Sequence, residues 1–191
     1  MVVAPSAVPT LSAGAYRAPA KVFHWLTAAL VLSTIPAGQL MVRKGLDRPL
    51  QDALFIYHKN IGMVILGVVL LRLVYRIRHP PPPLPPSVPV WQRRVAGLTH
   101  EALYLLLIVQ AVSGYIRVKA GGFPIEWLDA WGIPSPVPRS GGLADAAQAV
   151  HRWNRLLLIA LIALHIGAAL FHAVVLRDGV FQRMWPTFRR R

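Results

Sequence analysis

Four apolar runs, each about twenty residues long, constrain this chain more than any other feature. They cover roughly residues 22–41, 53–74, 99–118 and 151–176. At 1.5 Å per residue, about twenty residues match the hydrocarbon thickness of a bilayer. Backbone in lipid must satisfy its own hydrogen bonds, which excludes open-edged strands there. The sequence therefore predicts an all-α fold, a four-helix transmembrane bundle. The first run, VFHWLTAALVLSTIPAGQLM, is longer than the apolar core of a signal peptide, about 7–15 residues, so it is expected to stay as a span, bent by Pro36. Residues 1–20 read as an N-terminal tail, 21–186 as one membrane domain, and 187–191 as a basic C-terminal tail.

Between the spans the punctuation is clear. Seven prolines fall within residues 80–89, which predicts an extended polyproline-type spacer. Residues 119–150 form the longest connection, rich in turn signals, with IEWLDAWG as a short amphipathic segment at the interface. The six tryptophans lie at or near span ends, as an aromatic belt requires.

A formal charge of +14 would suggest nucleic acid in a soluble protein. Here the basic residues cluster at the ends of apolar runs, so the lipid bilayer is the expected partner and nucleic acid is not. The tail, the proline spacer and the C-terminus must share one side, and that side carries twelve basic residues against two acids. The other side carries nine against five. The asymmetry predicts that both termini are cytoplasmic.

The chain contains no cysteine, which excludes Fe–S clusters, thiolate-ligated haem and covalent C-x-x-C-H attachment. Any metal or cofactor must be held by nitrogen or oxygen, and seven histidines are the supply. His151 and His165 are separated by about 40° around one helix and about 21 Å along it, and His172 falls on the same face. Imidazole inside a membrane is costly and normally has a function and a partner. The predicted topology sorts the histidines by depth: His58 and His151 near the outer face, His24 near the inner face with His165 or His172 as partner. Facing imidazoles at two depths match the bis-histidine ligation of b-type haem. Gly62, four residues from His58, and the small residues Gly167 to Ala169 leave room for a flat group. A histidine near a span end can equally serve as an interfacial hydrogen-bonder, which suits His79, and a histidine-lined transition-metal carrier is a further reading. No hydrolase or nucleotide-binding motif is present.

The segments FHWLTA at His24, IYHKNIGMVILGVVLLRLVYRIRHPPPP around His58, LTHEALYLLL at His100 and LHIGAALFHAVVLRDGVFQRM near the end resemble the bacterial cytochrome b561 family. The resemblance spans about residues 16–186 and implies four membrane helices, two b haems, and a multi-pass protein of the bacterial inner membrane. It implies His24 and His165 as ligands of the inner haem, and His58 and His151 as ligands of the outer one. The family's last motif often reads HH where this chain has His172-Ala173. The resemblance further implies electron transfer between a small reductant, superoxide in some members, and ubiquinone. Other members are membrane electron carriers, and related bundles serve as cytochrome subunits of hydrogenases and dehydrogenases, which leaves a membrane-anchor cytochrome subunit carrying electrons for a partner oxidoreductase as the alternative. A quinone site needs an apolar cleft with a polar end, for which His100 and Lys119 are candidates; His172 is a third secondary residue.

Overall fold

The computed structural model describes residues 14–186. Most of the expected N-terminal tail, and all of the basic tail at 187–191, lie outside the described residues. The described chain is all-helical. α1 is Ala18–Leu40, α2 Arg48–Arg78, α3 Val90–Ala120, α4 the short Glu126–Ala130, and α5 Gly141–Phe171. A π-type turn at His172–Leu176 prolongs α5, and a 3-10 turn at Phe181–Arg183 follows. Four of these helices are long and apolar enough to cross a membrane, the last counted to Leu176.

The long helices outrun the apolar stretches that define them. α2, α3 and α5 have 31 residues each, about 46 Å at 1.5 Å per residue, against about 30 Å of hydrocarbon. Local chemistry sets their starts. The Asp47 carboxylate accepts the Leu50 N–H (3.2 Å) to open α2, and Ser140 Oγ accepts the Leu143 N–H (3.3 Å) to open α5. Gly141 and Gly142, read as a turn, instead form the first helical residues behind that cap. The 119–150 connection is shorter than its composition suggested, and the expected interfacial segment appears as α4.

α1 packs along α2, α2 along α3, and α3 along α5. Midway along the bundle, Val31, Ile65 and Val69 form a buried apolar layer with Ile108 and Ile162 against it. Large apolar side chains such as Leu71, Ile77, Leu105 and Val174 point outward, each at least 60% exposed. A soluble domain would bury them; a bilayer-embedded one need not.

The described ends of the chain and the proline spacer meet at one end of the bundle. Arg183, only 7% exposed, ties them together. It donates to the carbonyls of Gly14, Pro82 (2.7 Å) and Pro83 (2.9 Å) and lies over the Tyr16 ring. Trp25 donates to the Met184 carbonyl (2.9 Å) and Lys21 to that of Trp185 (2.9 Å). The opposite end carries α4.

Candidate functional site

Two pairs of imidazoles face each other across the bundle, one on each side of the apolar layer. At the α4 end, His58 of α2 and His151 of α5 have ring centres 6.2 Å apart and ring planes at 80°. At the termini end, His24 of α1 and His165 of α5 are likewise 6.2 Å apart, at 70°. Spacing left both His165 and His172 open as the residue opposite His24. The structure puts His165 there, while His172 pairs with Asp178 (Nδ1 to Oδ2, 2.6 Å). His100 of α3 lies 5.4 Å from His165. Lys119 lies at the far end of α3 from His100, ion-paired with Asp129 (2.5 Å). His79 stacks on Tyr75 beside the proline spacer.

The helices fix both rings of the α4-end pair. His58 donates from Nδ1 to the Thr34 carbonyl (3.1 Å), and His151 from Nδ1 to the Gln110 carbonyl (3.0 Å). A carbonyl can only accept, so both rings carry their proton on Nδ1 and expose the Nε2 lone pair. The Gln110 side chain donates to His151 Nε2 (2.9 Å) and is itself held by Asn154, whose amide reaches Gln110 Oε1 (2.7 Å) and the Leu106 carbonyl (2.9 Å).

Glycines bring the neighbouring helices against these rings. A Cβ on Gly38 would fall 2.5 Å from His58 Cε1, and one on Gly114 3.1 Å from His151 Cε1. Gly62 meets nothing within 4 Å and lines a cavity of about 950 Å³, together with His58, His151 and Met63. That cavity is at the large end of the range for small-molecule and cofactor sites.

Over this cavity sits α4, latched to α2 just beyond His58. Asn60, 1% exposed, donates to Glu126 Oε2 (2.8 Å) and accepts the Trp127 N–H (2.9 Å). Lys59 pairs with Glu126 (2.5 Å) and donates to the Pro124 carbonyl (2.8 Å). Burial would raise the Glu126 pKa, but hydrogen bonds from Lys59 and Asn60 and the Lys59 charge bring it below its ordinary 4.5.

A sequence profile described as prokaryotic cytochrome b561 matches residues 15–187. The chain belongs to the prokaryotic cytochrome b561 family. It is 32% identical over 162 residues to cytochrome b561 homolog 2 of Escherichia coli K12, covering 85% of this chain and 86% of that protein. It is 30% identical over 168 residues to a Yersinia pestis protein named "Probable superoxide oxidase CybB", covering 87% and 93%. Escherichia coli cytochrome b561 homolog 1 is 28% identical over 165 residues, covering 85% and 92%. This is therefore a bacterial membrane protein of electron transfer, and its family implies binding of haem b.

Sequence reasoning missed Thr34, Gly38, Gln110, Gly114 and Asn154. A signal existed for two of them: Gln110 and Asn154 are amides inside apolar runs, where a polar side chain asks for a partner. Among the described residues, no cluster of three or more side chains suited to a metal ion forms, which gives the metal-carrier reading no geometric support.

Proposed function

We propose that this protein is a dihaem b-type cytochrome of the bacterial inner membrane, with His58 and His151 ligating one iron and His24 and His165 the other. The observation that carries this reading is the equal 6.2 Å separation of the two imidazole pairs. Metal–imidazole bonds of about 2 Å, plus about 1.2 Å from each nitrogen to its ring centre, call for about 6.4 Å. The 5.4 Å between His100 and His165 is too short for that, which leaves His100 a secondary residue.

When bound, haem supplies a one-electron iron couple. The protein's part is to hold and insulate it. The Nδ1 bonds from His58 and His151 fix ring orientation and raise the basicity of Nε2. Gln110 has to turn its amide away from His151 Nε2 for iron to bind there. With His58 and His151, or His24 and His165, holding the iron, no position on it would be left open, so the group would supply outer-sphere electron transfer. The layer of Val31, Ile65 and Val69 keeps water from the space between the two sites.

The charge asymmetry supports cytoplasmic termini and a periplasmic α4 end. A small reductant, superoxide by similarity to the Yersinia relative's printed name, would then deliver electrons at the α4 end, with ubiquinone as acceptor. Arg43, Lys44, Arg48, Arg139 and Arg152 stand exposed on that side and would raise encounter rates with an anion. The second reading, a membrane-anchor cytochrome subunit serving a partner oxidoreductase, is supported by family resemblance alone.

The test is an optical spectrum with haem quantification on the purified protein. Two haems per chain are expected, and His58→Ala and His151→Ala should each remove the same one; loss of different haems breaks the pairing. Rapid reduction by superoxide, slowed by salt and followed by quinone reoxidation, supports the oxidase. Reduction only with a co-purifying partner supports the anchor.

A further inference from the structure

Arginines stand near both imidazole pairs, and none of Arg72, Arg76, Arg117 and Arg155 is ion-paired: the ion pairs among the described residues are Lys59–Glu126, Lys119–Asp129 and His172–Asp178. At the α4 end, Arg117 of α3 and Arg155 of α5 line the same cavity as His58 and His151. Arg155 lies one turn beyond His151, and helical side chains lean toward the N-terminus, back toward that ring. Its Nε is buried and has no hydrogen-bond partner. The cavity's carboxylates do not answer this charge. Glu126 is held by Lys59, and neither Asp52 nor Asp145, which also line it, forms an ion pair.

At the termini end, Arg72 of α2 donates from Nη2 to His24 Nδ1 (3.0 Å). The guanidinium groups of Arg72 and Arg76 lie 5.2 and 5.8 Å from the Tyr104 ring centre. Tyr104 stands one turn from His100 on α3. A guanidinium only donates, so His24 must accept at Nδ1 and carry its proton on Nε2. Ligation through Nε2 would return the proton to Nδ1 and set two donors against each other. Arg72 then has to leave that nitrogen and find an acceptor elsewhere.

A guanidinium inside a membrane bundle is costly without an anion to meet it, and among the described residues no carboxylate pairs with any of these four. A b-type haem brings two carboxylates, and arginine binds carboxylate with charge-assisted, often bidentate bonds. We infer that Arg117 with Arg155, and Arg72 with Arg76, form two carboxylate-binding sites, each receiving the propionates of the porphyrin held by the adjacent imidazole pair. The inference rests on the dihaem reading above.

Spectroelectrochemical titration of the purified holoprotein tests it, with haem stoichiometry measured alongside. Removing a cation beside a propionate disfavours the reduced iron, so Arg117→Gln/Arg155→Gln should lower the potential of the haem that His58→Ala removes. Arg72→Gln/Arg76→Gln should lower that of the other haem. The expected effect is about tenfold in the reduced-to-oxidised ratio at fixed potential, equivalent to about 59 mV for one electron. Arg→Lys at the same positions keeps the charge and should recover most of the shift. A second arm needs no substitution: infrared redox difference spectra of wild-type protein carrying haem labelled with carbon-13 at the propionate carboxyls. Ionised-carboxylate bands are expected, and a protonated carboxylic acid band overturns the assignment. Variants that keep both haems at wild-type potentials also overturn it, including variants that change only the rate of reduction by superoxide, which would mark the arginines as steering groups. A wild-type protein with fewer than two haems would instead defeat the dihaem reading itself.

Discussion

Gly38→Ala places a methyl group 2.5 Å from His58 Cε1 and 2.8 Å from Nδ1, where ordinary contact begins at 3.4 Å. The ring must retreat by about 1 Å to relieve the overlap. Its Nδ1 now lies 3.1 Å from the Thr34 carbonyl, and a retreat of that size takes the pair outside hydrogen-bonding range. Losing that bond costs about 0.5–1.5 kcal/mol of stability, and losing the outer-shell partner of a metal-bound histidine costs about 10–100-fold in metal affinity. If the proposed dihaem reading holds, Gly38→Ala should therefore deplete the α4-end haem and leave the other in place. Gly114→Ala, with its nearest contact at 3.1 Å to His151 Cε1, needs a shift of only a few tenths of an ångström and should weaken the same haem less. Gly67→Ala meets nothing within 4 Å and is the control, gaining up to about 1 kcal/mol of helix propensity. The assay is haem per chain by pyridine haemochrome, with a redox titration to show which haem is lost. A Gly38→Ala protein with both haems at wild-type potentials would refute the reasoning, as would equal losses from Gly38→Ala and Gly67→Ala.

Other outcomes follow from the contacts that hold the two ends of the bundle. Asn60→Ala should loosen α4, at a cost of about 1–3 kcal/mol for the unpaired Trp127 N–H, with Lys59 still holding Glu126, read as faster proteolysis between residues 121 and 140. The Glu126 pKa is lower in the folded protein than its ordinary 4.5, so the latch is fully stabilising above that value. The contribution fades as pH falls through the depressed folded-state pKa; hydrogen exchange in α4 that stays unchanged well below pH 4.5 would contradict this. Arg183→Met leaves the Gly14, Pro82 and Pro83 carbonyls without their donor and should lower the melting temperature by several degrees, given about 2–4 °C per kcal/mol for a chain of this size. An unchanged melt would mean the clamp holds nothing.

The four spans, the histidines and their two depths were legible because each rests on a local property: a long apolar run, or an ionisable residue inside one. Spacing alone did not choose between His165 and His172, seven residues apart on one face; the resemblance pointed to His165, which faces His24, while His172 pairs with Asp178. Hydropathy also understated the helices. It measures preference for lipid, whereas α2 and α5 continue through caps at Asp47 and Ser140 into polar sequence. Gly38 and Gly114 looked like ordinary span residues, because a glycine–imidazole contact depends on the register between helices. Arg183 read as one more interfacial charge, for the carbonyls it binds come from positions about 100 and 169 residues away.

On the proposed reading, the packing order gives haem a structural role as well. α1 packs on α2 and α3 on α5, but the buried apolar cluster is small, centred on Val31, Ile65 and Val69, and a cavity of about 950 Å³ lies beside it. Without a group to fill it, the walls of that cleft would forfeit packing contacts that a flat ligand between the helices would supply. Apoprotein helices should therefore collapse inward or admit lipid, and the imidazole pairs should lose their 6.2 Å spacing. A ligand that binds only the assembled bundle stabilises it by mass action. Protein made under haem limitation should accordingly melt well below the holoprotein in the same detergent and be cut more readily within α5, which carries one histidine of each pair. Identical melting and cleavage of the two forms would show that the helices hold their positions unaided, and that the cavity is tolerated for some reason other than a porphyrin.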